Sequence, residues 1–407
     1  MASVTAWTIT LSCSLIGNDF QSQEWLGGHG TDGSFVVSRA GTATPALADL
    51  EDSSGALDDL ERSRRHRRTW VWVGGLTLVL LATVPLAVGI GPVGTSPGDV
   101  TRIVGHHLFA IPAHRSWSVS ADTIVWLVRM PRVLLGVAVG AGLGVTGVAL
   151  QALVRNVLAD PYILGVTSGA STGAAATILF GVGGGLGAAS LTGSAFAGAA
   201  AATVLLFVLA RVGGRITSIR LLLAGVTIGY VLSAATSFLI FMSDTPDGAR
   251  AVLFWMLGSL ARAEWSSIGV AMVVVAVVLV MLVLWARRFD ALAVGDDTAR
   301  TLGVSPDRFR VVSLGLVSLC VGAVVAVAGG IGFVGLVVPH VARLCVGGAH
   351  RRVYPVAALI GAIFLTWADV FARIAFAPRE LPLGIVTAIV GAPLLIVLVR
   401  RFYASTV

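Results

Sequence analysis

The chain has 407 residues, of which 56% are hydrophobic and only 12% charged, against roughly 25% charged in a soluble domain. A soluble core does not account for that deficit, whereas a surface facing lipid does. All 28 basic residues are arginine, so a P-loop, whose lysine must reach the β- and γ-phosphates, is excluded from this chain.

Residues 1–68 carry nine acids and six arginines among many Ser, Gly and Thr; the other 339 residues carry 22 arginines and 12 acids. The first 20 residues are mildly apolar but lack a basic n-region and a small-residue cleavage site, which makes a poor signal peptide. The segment 1–68 is expected to be an acidic, disordered cytoplasmic tail. From Thr69 onward the hydropathy pattern predicts about ten spans, near 69–91, 131–153, 163–182, 190–210, 220–242, 266–286, 309–328, 334–346, 354–376 and 382–400. Runs of about 20 apolar residues cross a bilayer, and the high Gly and Ala content suits close helix contact there. The eighth span is short and Gly-rich and is expected to sit partly within protein, because exposed irregular backbone is not tolerated in hydrocarbon. With the N-terminus inside, 19 arginines flank the cytoplasmic ends and 8 the outer ends; the positive-inside rule selects this orientation, with both termini cytoplasmic.

The second span opens with Arg129-Met130-Pro131-Arg132. These arginines read either as anchors to lipid headgroups or as a docking site for an acidic partner outside the membrane. The span ends in a polar elbow, Gln151 to Pro161, and the next apolar helix starts at once. Asp369 and Arg373 lie four apart near the outer end of the ninth span, on one helix face. They read as a self-satisfied ion pair, or as a pair whose arginine joins an outer basic patch.

The longest inner loop, Phe289 to Phe309, contains Gly295 followed by Asp296, Asp297 and Arg300. Acids suit the start of a short helix, and Gly303 and Pro306 end it. That helix is either a lever for a soluble partner or a solvated connector. Gly329 to Gly332 is expected to form a tight outer turn, with no Cβ on three of four residues. His340 has no second ligand at metal spacing and reads as a structural hydrogen-bonding residue. Cys13, Cys320 and Cys345 show neither metal nor disulfide spacing. No GxSxG or HExxH motif is present, so no enzyme site is expected, and the positive charge follows the membrane rule rather than a nucleic-acid-binding face.

With these residues in hand, the chain resembles the FecCD-type permeases of ATP-binding-cassette importers for iron–siderophores, haem and cobalamin. The resemblance rests on ordered blocks: Arg129 to Arg132, Gln151-Ala152-Leu153 through Asn156, Leu158-Ala159-Asp160-Pro161, Leu164-Gly165-Val166, Leu221 to Gly225, Trp255 to Ser259, Leu302-Gly303-Val304, Gly332 to Leu336, Pro339-His340, Glu380 to Gly384 and Gly391-Ala392-Pro393. Together they cover about 69–401. Val157 departs from the proline that follows Asn156 in the family, and Met130 replaces a leucine.

The resemblance implies an all-α polytopic membrane protein of the type II ABC importer permease fold in the bacterial cytoplasmic membrane. It implies a second permease chain (an identical copy or a paralogue), an ABC ATPase dimer holding ATP and Mg, and an extracytoplasmic substrate-binding protein. This chain itself is expected to hold no cofactor and no metal. By position, Arg129, Arg132 and Arg373 resemble arginines that receive acidic residues of the binding protein. They are expected to be water-exposed, each pair adding only ~0.2–1 kcal/mol. Asn156 and Leu158, with Thr217 and Ser218, resemble cytoplasmic gate positions. The loop 290–308, with Asp296, Asp297, Arg300, Leu302 and Gly303, resembles the coupling helices that meet the ATPase. A ferric siderophore is the expected cargo, moved by alternating access; haem and cobalamin are the alternatives. An ion-coupled secondary transporter and a purely structural membrane subunit are the remaining classes.

Overall fold

The computed structural model describes residues 45–211 and 217–404. By internal contacts the chain divides into Met1–Asp58 and Asp59–Val407. Of the predicted tail, residues 1–44 lie outside the described residues. From Pro45 onward the backbone is helical, as part of α1 (Pro45–Gly89), which differs from the expected disorder. The reason is local: residues 45–68 are rich in Ala, Leu, Glu and Arg, strong helix formers.

The helices α2 (Pro97–Phe109) and α3 (Val119–Asp122) lead into a π-helical turn, Thr123–Arg129, and then α4 (Met130–Val154). In order follow α5 (Val166–Phe180), α6 (Ser190–Ala210), α7 (Ser218–Phe241), α8 (Pro246–Met256), α9 (Trp265–Leu284), α10 (Ala286–Val294), α11 (Asp296–Thr301), α12 (Pro306–Ala328), α13 (Val334–Val346), α14 (His350–Ile374) and α15 (Leu383–Ala404). Among the described residues seven helical segments are long and apolar enough to cross a membrane, and three shorter apolar helices accompany them: Val166–Phe180, Val334–Val346 and Leu383–Val397. These ten coincide with the ten predicted spans.

The core forms around α4. Nearly every residue of α4 is buried, although the helix is apolar on all sides; a helix of that kind belongs in the middle of a bundle. α14, α13, α12 and α9 surround it. Glycines bring the backbones together. A Cβ at Gly140 would lie 2.2 Å from the Gly361 carbonyl oxygen, and one at Gly147 would lie 1.9 Å from that of Gly335. A second seam joins α5 to α6, where a Cβ at Gly169 would come within 2.4 Å of the Gly198 oxygen. Small residues at helix crossings replace the hydrophobic driving force that lipid removes.

The Gly329–Gly332 segment forms the expected turn, between α12 and α13. Gly329, Gly330 and Ile331 are buried, and the Tyr162 hydroxyl accepts a hydrogen bond from the Ile331 N–H. Tyr162 lies in the 3-10 turn Pro161–Leu164 that follows the polar elbow. The turn between α12 and α13 therefore lies inside protein, against the re-entrant elbow, which is where irregular backbone at membrane depth is tolerated. α13 is short for the same reason: it starts within the bundle.

Substituting Gly147 by Val should prevent native packing, because the Gly335 backbone has nowhere to move. Gly315, with nothing within 4 Å of its Cβ position, should accept Ala and gain up to ~1 kcal/mol in helix propensity. Thermal unfolding of the detergent-solubilised variants checks both; a native-like melt for G147V would refute the seam.

Candidate functional site: two polar nodes at the ends of α4

The π turn before α4 sends the Met130 N–H to the Val125 carbonyl, one residue further back than an α-helix would. Arg129, at the end of that turn, points inward. Its guanidinium donates to the Val88 and Gly89 carbonyls (both 3.2 Å), to Thr95 Oγ1 (2.8 Å) and to the Val93 carbonyl. It thus caps the last turn of α1, where helix carbonyls lack partners.

Arg132 faces a different set. Its Nε donates to Asp369 Oδ1 at 2.9 Å, and its Nη2 lies 2.9 Å from the same oxygen. Its Nη1 donates to Glu380 at 2.8 Å. Arg373 Nε lies 3.1 Å from Asp369 Oδ2, and its Nη atoms reach the Ala87 and Ile90 carbonyls.

The Asp369–Arg373 pair expected on one helix face is therefore present, within a four-residue network that Arg132 and Glu380 complete. The expected water exposure of the three arginines is not found. Arg129, Arg132 and Arg373 are 4%, 5% and 3% exposed. The loop after α1 and helix α2 bring carbonyls and apolar cover that the sequence pattern does not reveal. Glu380, just ahead of α15, is the half-exposed member of the network.

The other end of α4 carries the elbow. Arg155 ends the helix in the left-handed conformation, φ 53°. Asn156 Oδ1 then accepts the Leu158 N–H at 2.9 Å, a local turn that side-chain amides favour. Asn156, Val157 and Leu158 are exposed. Ser218, in the first turn of α7, donates to the Leu153 carbonyl at 3.2 Å, and Thr217 is exposed beside it. The predicted gate residues thus come together at one end of α4. Gln151 ties this end to α13, donating to the Leu336 carbonyl at 3.3 Å and accepting from Arg343. His340 makes the structural hydrogen bond expected of it: its Nδ1 is 2.8 Å from the Leu336 carbonyl.

The predicted loop 290–308 holds the last part of α10 and all of α11, with Gly303 in the left-handed region at φ 78°. Its two feet are pinned together: the Phe289 and Phe309 rings stand 4.9 Å apart, edge to face. Asp290 accepts from the His350 backbone N–H at 3.0 Å and lies 2.6 Å from its Nδ1. Asp296 accepts from Arg310 Nη2 at 2.7 Å and Nη1 at 2.9 Å, and from Arg155. Asp297 pairs with Arg300 at 2.8 Å on the outer face of α11. The apolar side chains Val294 and Leu302, 74% and 66% exposed, flank that face.

The Arg310 guanidinium bonded to Asp296 holds its carboxyl below the usual carboxylate range. At Asp290 burial pushes upward, but the hydrogen bonds from His350 outweigh it and hold that carboxyl low as well. Arg155, Arg310 and Glu380 were not singled out by sequence pattern. The available signal was, for Arg310, an arginine that follows Arg308 into the first turns of an apolar helix, and, for Arg155, its place directly before Asn156.

A polar node at each end of a buried central helix, one of them carrying a clamped surface helix, is set in a bundle whose helices are long and apolar enough to cross a membrane. The profile of the FecCD transport family matches residues 78–401. The cobalamin import system permease protein BtuC of Halobacterium salinarum is 38% identical over 335 residues, 80% of this chain and 88% of that protein. The vitamin B12 import system permease protein BtuC of Citrobacter koseri is 37% identical over 346 residues, 83% and 96%. Among solved structures, a metal-chelate type ABC transporter in an inward-facing conformation superposes with a TM-score of 0.70 at 31% identity, covering 81% of this chain and 98% of that one. The chain belongs to the FecCD family and is an ABC importer permease.

Asp369→Asn should leave Arg373 buried without a counter-charge and Arg132 with Glu380 alone, and cost about 3–5 kcal/mol. Glu380→Gln, at the exposed edge, should cost far less. Comparing the unfolding midpoints of the two variants checks the ranking. For Asp296 the sign follows from a folded pKa below the unfolded value near 3.9. Its stabilisation is complete above that value and fades as pH falls through the folded one. Stability from this contact should be flat between pH 8 and 5 and decline below about pH 4, a decline that Asp296→Asn should reduce in an acid titration of the melt.

Proposed function

We propose that this chain is the membrane half of an importer that carries cobalamin inward by alternating access, driven by a separate ATPase dimer that holds ATP and Mg. The observation that carries the cargo is the run of cobalamin-named permeases matched over nearly their whole length, at 37–38% identity. A ferric chelate is the second reading, favoured by the likeness to a metal-chelate type transporter.

The arginine distribution places both termini and the α10–α11 face in the cytoplasm. On that placement α11, with Val294 and Leu302 projecting beside it, is the surface that seats in a cleft of the ATPase. Apolar knobs rimmed by the Asp297–Arg300 pair suit such a contact. Asn156, Leu158, Thr217 and Ser218 then form the cytoplasmic gate, beside a second permease chain. At the outer end a binding protein would present carboxylates. Arg132 is the arginine it can reach, by displacing the half-exposed Glu380. Arg129 and Arg373 hold the frame that positions it.

The test is uptake into proteoliposomes containing this chain with its ATPase and binding protein, offered labelled cobalamin and labelled ferric siderophore in separate runs. ATP-dependent cobalamin accumulation is the expected result. Accumulation of the siderophore alone would transfer the cargo to the ferric chelate. Uptake driven by an ion gradient without ATPase would overturn the mechanism.

A further inference from the structure

We propose that Arg155 and Asp296 form a breakable tie between the coupling helix and the gate elbow, while Arg310 holds Asp296 permanently to α12. This rests on the ATP-driven importer reading above.

Three observations carry it. The first is asymmetry of burial around one carboxylate. Arg310 is 2% exposed and gives Asp296 two hydrogen bonds; its Nε is buried with no hydrogen-bond partner. Loss of Asp296 would leave this guanidinium buried and unpaired, so the contact is held in every conformation. Arg155 is 38% exposed in its side chain and shares the Oδ1 that Arg310 Nη2 already uses. Water can replace that bond at small cost.

The second is backbone conformation. Arg155 occupies the left-handed position after α4, with its N–H bonded to Ala152 and that of Asn156 to Gln151. Glycine is the residue that fits this position without a Cβ penalty. An arginine here stands against local preference, and its guanidinium ends on Asp296.

The third is placement. Arg155 directly precedes Asn156 and Leu158, and Asp296 is the first residue of α11. One ion pair therefore spans from the surface helix to the elbow. When α11 and α12 move together, the elbow follows for as long as Arg155 holds. Release of Arg155 lets the elbow relax separately.

The decisive variant is Arg155→Gly, in the complete complex in proteoliposomes. A merely structural arginine would leave a destabilised protein when removed. The tie predicts the opposite split: an unfolding midpoint equal to or above that of the unmodified chain, ATP hydrolysis retained, and uptake per ATP lowered roughly two- to thirtyfold. Arg155→Lys should recover part of that ratio. An unchanged uptake-to-hydrolysis ratio in R155G overturns the tie. If the unmodified complex shows no ATP-driven uptake of either cargo, the importer reading itself fails, and the tie with it.

Discussion

The whole bundle depends on how closely α4 approaches its neighbours. Lipid offers no hydrophobic reward for helix association, so the attraction comes from van der Waals contact over short distances. Glycines at 140, 144 and 147 put the backbone of α4 directly against α14 and α13. Each replaces a side chain with another helix's carbonyl. This contact makes α4 the axis of the molecule, and it fixes where the turn after α12 and the elbow after α4 meet.

The two ends of that axis use charge differently. At the Arg132 end, Arg132, Arg373 and Asp369 are almost wholly withdrawn from water and satisfy one another, with Glu380 at the exposed edge. Such a network is costly to break one member at a time, and it is suited to hold geometry. At the Asn156 end, a single carboxylate is shared between a buried and a half-exposed guanidinium. One bond there is permanent and the other is exchangeable with water. The aromatic pair Phe289–Phe309 and the Asp290–His350 contact fasten the same segment to α12 and α14, so the clamped piece moves as a body.

Hydropathy made the ten helices legible, because span length and apolar content are local properties. The short eighth helix was also legible from its length, and the α11 boundaries from Gly295, Gly303 and Pro306. The elbow was legible from the polar residues that interrupt two apolar runs, Gln151 to Pro161. What local pattern does not carry is burial of charge. Arg132 meets Asp369 across 237 positions, and Arg129 is covered by the Gly- and Pro-rich loop after α1, whose composition announces a loop but not what it covers. A paired-arginine cap therefore reads as exposed when it is enclosed. The Gly329–Gly332 turn was legible from its glycines, which do not say whether water or protein surrounds it. The helical backbone from Pro45 is a case of local propensity outweighing net charge.

α4 runs 25 residues, Met130 to Val154, about 37 Å at 1.5 Å per residue, beyond the ~30 Å hydrocarbon thickness. A rod of that length, gripped near its middle by glycine contacts, does not shorten; it tilts. Tilting displaces its two ends in opposite directions, so a seesaw geometry is built into the packing. Whatever leans on the Arg132 end is felt, reversed in direction, at Arg155.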